Sequence, residues 1–332
     1  MSGGRTTRLR LRLAALAATT GLLASGCGLE SSFALPFEVG PGSIRPVPEL
    51  TGVAVAVGSK DFTENQILGY LAEVALTAAG AEVRDMTNIQ GSNSSRQALI
   101  TGDVDVSWDY TGTGWISYLG NTEPIPDERA QFEAVRDADL TRNGLLWLEY
   151  AAVNNTYAFA VTEAFAKAHN LRTTSDMAEL IRREPNQGVF CLETEFASRN
   201  DGFPGVAKAY GFDAGSVEVK TFGIGTIYTA TSQGSCNFGE VFTTDGRIIG
   251  LNLVVLEDDR KFFPQYNAAI VLRKEFADTH PQVAEVMAPI VAKLDNDTIR
   301  RLNAEVDVDG RDPAVVARDW LIAEGFVSLP AS

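Results

Sequence analysis

Apolar residues occur along this chain in two patterns, as short β-branched runs and as longer stretches with helical spacing. The run at 53–57 ends at Gly58 and predicts a strand. Apolar positions recur at helical spacing over 67–78, after a capping-box pattern at Thr63 and Gln66, and Gly80 ends the predicted helix. Further strands are predicted near 82–86 and 104–108, and helices over 94–100 and 128–141. This alternation predicts an α/β fold with a largely parallel sheet.

One part of the pattern occurs twice, 132 residues apart. In the first copy Gly102 is followed eight residues later by Tyr110, and in the second Gly234 is followed eight residues later by Phe242. Both aromatic residues stand at the carboxyl end of a predicted strand, the end that faces the ligand crevice in open α/β sheets. The sequence therefore predicts two related lobes with Tyr110 and Phe242 on opposite walls of one cleft. Chance similarity between two short segments is the alternative.

The end of the chain returns to the first lobe. Strands are predicted at 253–256 and 268–272, and a helical stretch over 274–325. Crossings near 148–157 and 256–266 would form a hinge of two strands, as in binding proteins that close around a ligand. The predicted lobes are 51–153 plus 263–332, and 154–262.

The first residues are predicted to direct export. Four arginines precede an apolar stretch at 13–26, which is too short to span a bilayer, so residues 1–26 are interpreted as a signal peptide. The sequence ASGC at 24–27 resembles a bacterial lipobox, which implies a lipid-modified Cys27. Residues 27–50 contain four prolines and no periodicity, and are predicted to be a flexible tether. A plain secretory signal without lipid is the alternative.

Export changes the interpretation of the other cysteines, Cys191 and Cys236. Each lies at one end of a strand-like run, and neighbouring strands of one sheet would bring them together. We expect a disulfide between them, with two buried free thiols as the alternative.

Composition narrows the possible functions. The 332 residues carry a net charge of −15, so the chain does not attract nucleic acid by charge alone. It has two histidines and no P-loop, HExxH or CxxC pattern. We therefore expect no enzymatic activity, no metal and no cofactor. An exported hydrolase or transferase is the alternative, but neither His169 nor His280 lies near a serine motif.

Several motifs in order resemble a known family, the substrate-binding proteins of osmoprotectant ABC importers of the glycine betaine/choline/carnitine type. The resemblance covers about 51–326 and implies a type II periplasmic-binding-protein fold, with two α/β lobes, a hinge of two crossings and a ligand cleft. The motifs are GSKDFTE at 58–64, DYTGTG at 109–114, NNTYA at 154–158, TDGR at 244–247, DDRKFFP at 258–264 and VDVDGRDP at 306–313.

The resemblance also implies an aromatic box for a quaternary ammonium group. A trimethylammonium head has no N–H to donate, and aromatic faces attract it by about 0.5–2 kcal/mol each. The motifs place the box on Tyr110, Tyr157, Phe242 and Tyr266. Phe242 departs from the family's usual tyrosine, since it keeps the ring face but lacks the hydroxyl.

Other residues are implied for the anionic end of a betaine. The resemblance places Lys60, Thr113 and Arg199 near its carboxylate, with Arg199 in the segment FASRNDG at 196–202. The two positive charges of Lys60 and Arg199 would favour a zwitterion over choline. Gln66 is either a ligand contact, as in choline-binding relatives, or the capping partner of Thr63.

The implied function is capture of a quaternary ammonium osmoprotectant, glycine betaine first, and delivery to the permease of an ABC transporter with its ATPase. The protein is expected to be a monomer, outside the cytoplasm and anchored to the membrane by lipid, without nucleic-acid partners. The alternative is a receptor of the same fold for choline, carnitine or another small solute, including a flat aromatic compound.

Overall fold

The computed structural model describes Leu35 and residues 37–330. The strands in this part are β1 (Gly40–Pro41), β2 (Ala54–Lys60), β3 (Glu82–Ile89), β4 (Val106–Tyr110), β5 (Leu145–Trp147), β6 (Tyr157–Thr162), β7 (Val189–Leu192), β8 (Glu218–Thr221), β9 (Phe238–Phe242), β10 (Leu253–Leu256), β11 (Ala268–Arg273) and β12 (Val327–Ser328). The helices are α1 (Thr63–Ala78), α2 (Ser92–Thr101), α3 (Thr111–Thr113), α4 (Glu128–Asn143), α5 (Glu163–His169), α6 (Thr174–Arg183), α7 (Phe203–Tyr210), α8 (Ile224–Ser232), α9 (Arg247–Gly250), α10 (Lys274–Thr279), α11 (Gln282–Val291), α12 (Asn296–Asp307) and α13 (Pro313–Ala323).

Two five-stranded sheets of the same topology form the centres of two lobes. The first lobe has the strand order β3-β2-β4-β11-β5, and the second has β8-β7-β9-β6-β10. The 132-residue offset carries β4 onto β9 and the first residue of α2 onto the first residue of α8. Gly102 and Gly234 both have positive φ angles, +84° and +73°, which suits glycine in a tight turn. The structure confirms the predicted pair of related lobes.

The sheets are mixed, so the prediction of a largely parallel sheet is only partly right. In the first lobe β2 runs parallel to β3 and β4, while β11 runs antiparallel to β4 and β5. The reason is the position of the crossing. Strand β4 ends at Tyr110, on the side of the sheet that faces the hinge. The chain returns to the lobe on that same side at Ala268, which begins β11 opposite Tyr110, so β11 must run antiparallel to β4. In the second lobe β6 likewise begins at Tyr157, opposite Phe242 at the end of β9.

The chain passes between the two sheets at 148–156 and again at 257–267. The two crossing segments are bonded to each other, since Asn155 N donates to Tyr266 O at 3.1 Å and Asn154 forms an isolated bridge with Asn267. The predicted hinge of two crossings is therefore confirmed.

The predicted flexible tether at 27–50 is wrong for its last residues. Strand β1 pairs with β12 near the end of the chain, and Ser43 N donates to Gly325 O at 2.9 Å. Ile44 and Leu50 are buried in the core of the first lobe. The sequence did not predict that these two apolar residues are buried, because they lie near prolines and follow no periodic pattern. Cys27 and the predicted signal peptide lie outside the described residues.

A disulfide in the second lobe joins β7 to the turn before its neighbouring strand β9. Cys191 lies on β7, and Cys236 lies two residues before β9, which pairs with β7. The two Cα atoms are 5.7 Å apart, within the usual range for a disulfide. Among residues 37–330 no helix combines the length and apolarity that crossing a membrane requires.

Candidate ligand-binding site

A cavity of about 130 Å³, partly open to solvent, lies between the two lobes. Its walls come from the strand ends that meet at the hinge, where parallel α/β sheets place their ligand sites. Both lobes contribute aromatic and charged side chains. The lining residues are Lys60, Asp61, Phe62, Gln90, Gly91, Ser92, Tyr110, Thr113, Asn155, Tyr157, Glu193, Glu195, Gly223, Ile224, Glu240, Phe242 and Tyr266.

The structure brings the four predicted aromatic residues together. The ring centroid of Tyr157 lies 5.1 Å from that of Phe242 and 5.2 Å from that of Tyr266. Phe62 completes the set, because its centroid is 5.1 Å from that of Phe242 and 5.9 Å from that of Tyr110. We call these five side chains the cage. Phe62 was missed in the sequence, although it stands two residues after Lys60 in the motif at 58–64.

Each tyrosine of the cage has a polar partner behind its ring. The Tyr110 hydroxyl donates to Glu64 Oε1 at 2.8 Å, and the Tyr266 hydroxyl donates to Asp201 Oδ2 at 2.7 Å. The Tyr157 hydroxyl accepts from Arg199 Nη1 at 3.4 Å. Burial raises the pKa of all three tyrosines well above its ordinary value, so they present neutral rings to the cavity.

Lys60 lies at the cavity with its charge already paired. Its Nζ is 2.7 Å from Asp109 Oδ1, and both side chains are almost fully buried. Asp109 also accepts from the Tyr118 hydroxyl at 2.9 Å. Thr113 is also buried and lines the same cavity. The ammonium group is therefore compensated before any ligand enters.

Arg199 lies behind the cavity wall, and its guanidinium is held by two carboxylates. Nε donates to Asp201 Oδ1 at 2.7 Å, Nη2 pairs with Asp201 Oδ2, and Nη1 donates to Glu195 Oε1 at 3.0 Å. Since Lys60 and Arg199 are both paired, the charge repulsion of choline that the sequence suggested has no support in this geometry.

Three glutamates of the second lobe form an acidic wall that sequence reasoning missed: Glu193, Glu195 and Glu240. Burial raises the pKa of Glu193, and raises that of Glu240 well above its ordinary value. Glu193 and Glu195 follow the carboxyl end of β7, a position that could have indicated them. Glu240 lies within β9, where no sequence signal marks it.

Glu195 also crosses the cleft. Its Oε2 accepts from Ser92 N, at the start of α2 in the first lobe, at 3.1 Å. Burial acts to raise the pKa of Glu195, but the charges of Arg199 and Lys60 outweigh it and hold the pKa below its ordinary value. Glu195 is thus an ionised carboxylate at a place where basic groups and a helix start favour an anion.

Gln66 takes neither of its two predicted roles. It does not line the cavity, and its Nε2 donates to Asn88 Oδ1 at 3.0 Å on the outer side of α1. The capping box does not form either, because Thr63 Oγ1 donates to Asp307 Oδ1 at 2.6 Å instead. Within the described part of the chain, no cluster of His, Cys, Asp and Glu is arranged to hold a metal ion.

Two equivalent lobes around an aromatic cavity define a clamshell solute-binding protein. Residues 53–323 match the protein family described as the substrate binding domain of ABC-type glycine betaine transport systems. The chain belongs to this family, which confirms the resemblance found in the sequence. Because the family consists of solute-binding domains of ABC transporters, the expectation of a protein without enzymatic activity is also confirmed.

Individual relatives support the same assignment. A glycine-betaine-binding protein of Pseudomonas aeruginosa is 36% identical over 270 residues, which are 80% of this chain and 86% of that one. The carnitine transport binding protein OpuCC of Listeria monocytogenes is 32% identical over 270 residues, 80% of this chain and 85% of its own. A crystal structure described as a glycine betaine/carnitine/choline ABC transporter superposes with a TM-score of 0.66 at 30% identity, covering 82% of this chain and 99% of that one.

Proposed function

We propose that this protein captures a quaternary ammonium osmoprotectant, glycine betaine first, and delivers it to the permease of an ABC importer. The cage carries this proposal. A trimethylammonium head cannot donate a hydrogen bond, and its charge is attracted by aromatic faces. The cage offers five rings from both lobes, so the lobes would close on the head group between them. The names of the relatives from Pseudomonas aeruginosa and Listeria monocytogenes support this ligand class.

The lobes proposed to close are 51–153 plus 263–332, and 154–262. A betaine carboxylate would lie towards Lys60, Thr113 and Arg199, where Glu195 now supplies a carboxylate to the guanidinium. The ligand carboxylate would replace Glu195 there, since two carboxylates at one site repel each other. Arg199 suits this exchange because its planar fork binds carboxylate oxygens in pairs.

Choline is the second candidate, and the acidic wall favours it. Lys60 is paired with Asp109, and Arg199 is held by two carboxylates, Asp201 and Glu195. The ionised Glu195 therefore leaves an excess negative charge at the cavity, which suits a ligand with one positive charge, even though burial raises the pKa of Glu193 and Glu240. The choline hydroxyl could donate to Glu193, which lines the cavity.

Titration calorimetry with glycine betaine, carnitine and choline tests this function. Tyr157→Ala removes one face of the cage, so we expect its affinity for quaternary ammonium ligands to fall by about 5- to 30-fold, the equivalent of about 1–2 kcal/mol. Tyr70→Ala, on α1 outside the cavity and the hinge, is the matched control and should bind as the wild type does. Wild-type affinity in the alanine variants of Tyr110, Tyr157 and Tyr266 alike would refute the cage.

We further propose that residues 1–26 are a lipoprotein signal and that Cys27 is lipid-modified, which would anchor a monomer outside the cytoplasm. The pattern ASGC at 24–27 supports this. Several acyl chains would hold the protein firmly, whereas one chain binds a membrane only marginally. Mass spectrometry of the membrane fraction should find acyl chains on Cys27, and Cys27→Ser should release the protein. An unmodified Cys27 in the wild type would contradict the proposal.

A further inference from the structure

One buried carboxyl group contacts both walls of the cage from behind. Glu64, the second residue of α1, is 2% exposed and does not line the main cavity. Its Oε1 accepts from the Tyr110 hydroxyl at 2.8 Å, in the first lobe. Its Oε2 accepts from Thr244 Oγ1 at 2.5 Å, two residues after Phe242 in the second lobe.

The partners of Glu64 satisfy its hydrogen-bond acceptors but bring no positive charge to it. Besides Tyr110 and Thr244, Asn303 Nδ2 donates to Oε2 at 3.2 Å, and all three donors are neutral. Arg247, which lies near this seam, is bonded to Asp245. Burial raises the pKa of Glu64, and the hydrogen bonds from Thr244, Tyr110 and Asn303 act against that rise. A cation brought close to this buried carboxyl group would therefore favour its ionised form and be attracted by it.

The cage would bring such a cation to the other side of the Tyr110 ring. A phenol that donates to a carboxylate has a more electron-rich ring, because hydrogen bonds in a low-dielectric interior polarise the groups they join. The negative face of that ring is what attracts a quaternary ammonium group. The carboxylate itself stays behind the ring and never contacts the ligand.

We propose that Glu64 is a specificity-determining residue, which acts through the Tyr110 hydroxyl to make the cage select a positively charged head group over an uncharged group of the same shape. This rests on the proposed function, since it assigns a cause to the charge preference of the same cage. Glu64 also holds Thr244, and with it the strand end that carries Phe242, in the position where the two lobes meet.

The test compares each ligand with its tert-butyl analogue, in which a carbon atom replaces the nitrogen. The pairs are choline and glycine betaine with their analogues, measured by titration calorimetry. In Glu64→Gln we expect affinity for the charged ligands to fall by about 5- to 30-fold, with less than about a twofold change for the analogues. A side chain that only supported the fold would weaken both members of a pair equally.

Tyr110→Phe provides a second variant in case Glu64→Gln does not fold. It keeps the ring but cuts the link to the carboxylate, so the preference for the charged ligand should fall by about 2- to 5-fold. Glu73→Gln is the matched control, because Glu73 is a buried glutamate of the same helix away from the cavity.

Three outcomes of these measurements would decide whether Glu64 has this role. A lower ratio of charged to uncharged affinity in the variants, with the ratio of the control unchanged, supports the role of Glu64. An unchanged ratio in folded Glu64→Gln, or in Tyr110→Phe, overturns it while the cage itself stands. If the wild type binds no quaternary ammonium ligand, the proposed function fails, and this inference fails with it.

Discussion

At the scale of single residues, Glu73 shows how an acid in the core makes stability depend on pH. It is 1% exposed on α1, and its Oε1 has no hydrogen-bond partner among the described residues. Burial, together with the nearby charge of Asp85, raises the pKa of Glu73 to about 9. The folded protein therefore holds a proton on this side chain at neutral pH, whereas the unfolded chain releases it.

Glu73→Gln is expected to stabilise the protein at neutral and alkaline pH. Because the folded-state pKa is raised, the folded protein binds the proton more tightly, and wild-type stability falls as pH rises from the unfolded pKa towards 9. Glutamine does not titrate, so the advantage of the variant should grow from pH 5 to pH 9 and reach about 1–3 kcal/mol near pH 7. Urea unfolding across this range measures it.

The control for this prediction is Glu179→Gln, on the exposed face of α6. It should shift the free energy of unfolding by less than about 0.5 kcal/mol at any pH. A Glu73→Gln variant whose gain does not grow with pH would show that Glu73 is already ionised in the folded protein.

At the scale of elements, the sequence predicted the repeat but not all strand directions. The strand ending at Tyr110 and the strand ending at Phe242 were recognisable because glycine turns and aromatic residues recur at one offset. The directions of β6 and β11 were not, because direction depends on where the hinge enters each sheet, and local periodicity carries no such information. The buried Leu50 was missed for a similar reason, since a single apolar residue just after Pro46 and Pro48 belongs to no periodic pattern.

The elements that build the site were predictable to different degrees. The motifs indicated the aromatic residues of the cage, apart from Phe62, because each stands at the end or start of a strand or, like Tyr266, in a hinge crossing. The partners behind the cage, Glu64 and Asp201, were not assigned, since they come from elements far apart in sequence. The same applies to Gln66, whose side-chain direction was set by its contact with Asn88 on β3 and not by its place near the helix start.

At the scale of the whole molecule, the two lobes are joined across the cleft by a few polar contacts around the cavity. Glu195 bonds to Ser92 and Glu64 bonds to Thr244. Arg199 stands behind the same cleft, and the chain of contacts from Tyr266 through Asp201 to Arg199 links the hinge to the second lobe. One guanidinium therefore influences the cage and the proposed carboxylate site at once.

Arg199→Ala is expected to weaken both glycine betaine and choline, and glycine betaine more. Choline should lose affinity by about 5-fold or more, because Tyr157 and Asp201, the partner of Tyr266, both lose a contact that orients the cage. Glycine betaine should lose about tenfold beyond that, because its carboxylate also loses a charge-assisted partner. Calorimetry with both ligands measures the two losses, and Arg129→Ala, which removes an exposed ion pair, is the control.

Arg199→Lys should recover little of either affinity, since an ammonium group cannot bind Asp201 and Glu195 with the planar fork of a guanidinium. Unchanged choline affinity would contradict the positioning of the cage by Arg199, and equal losses for the two ligands would contradict a carboxylate contact.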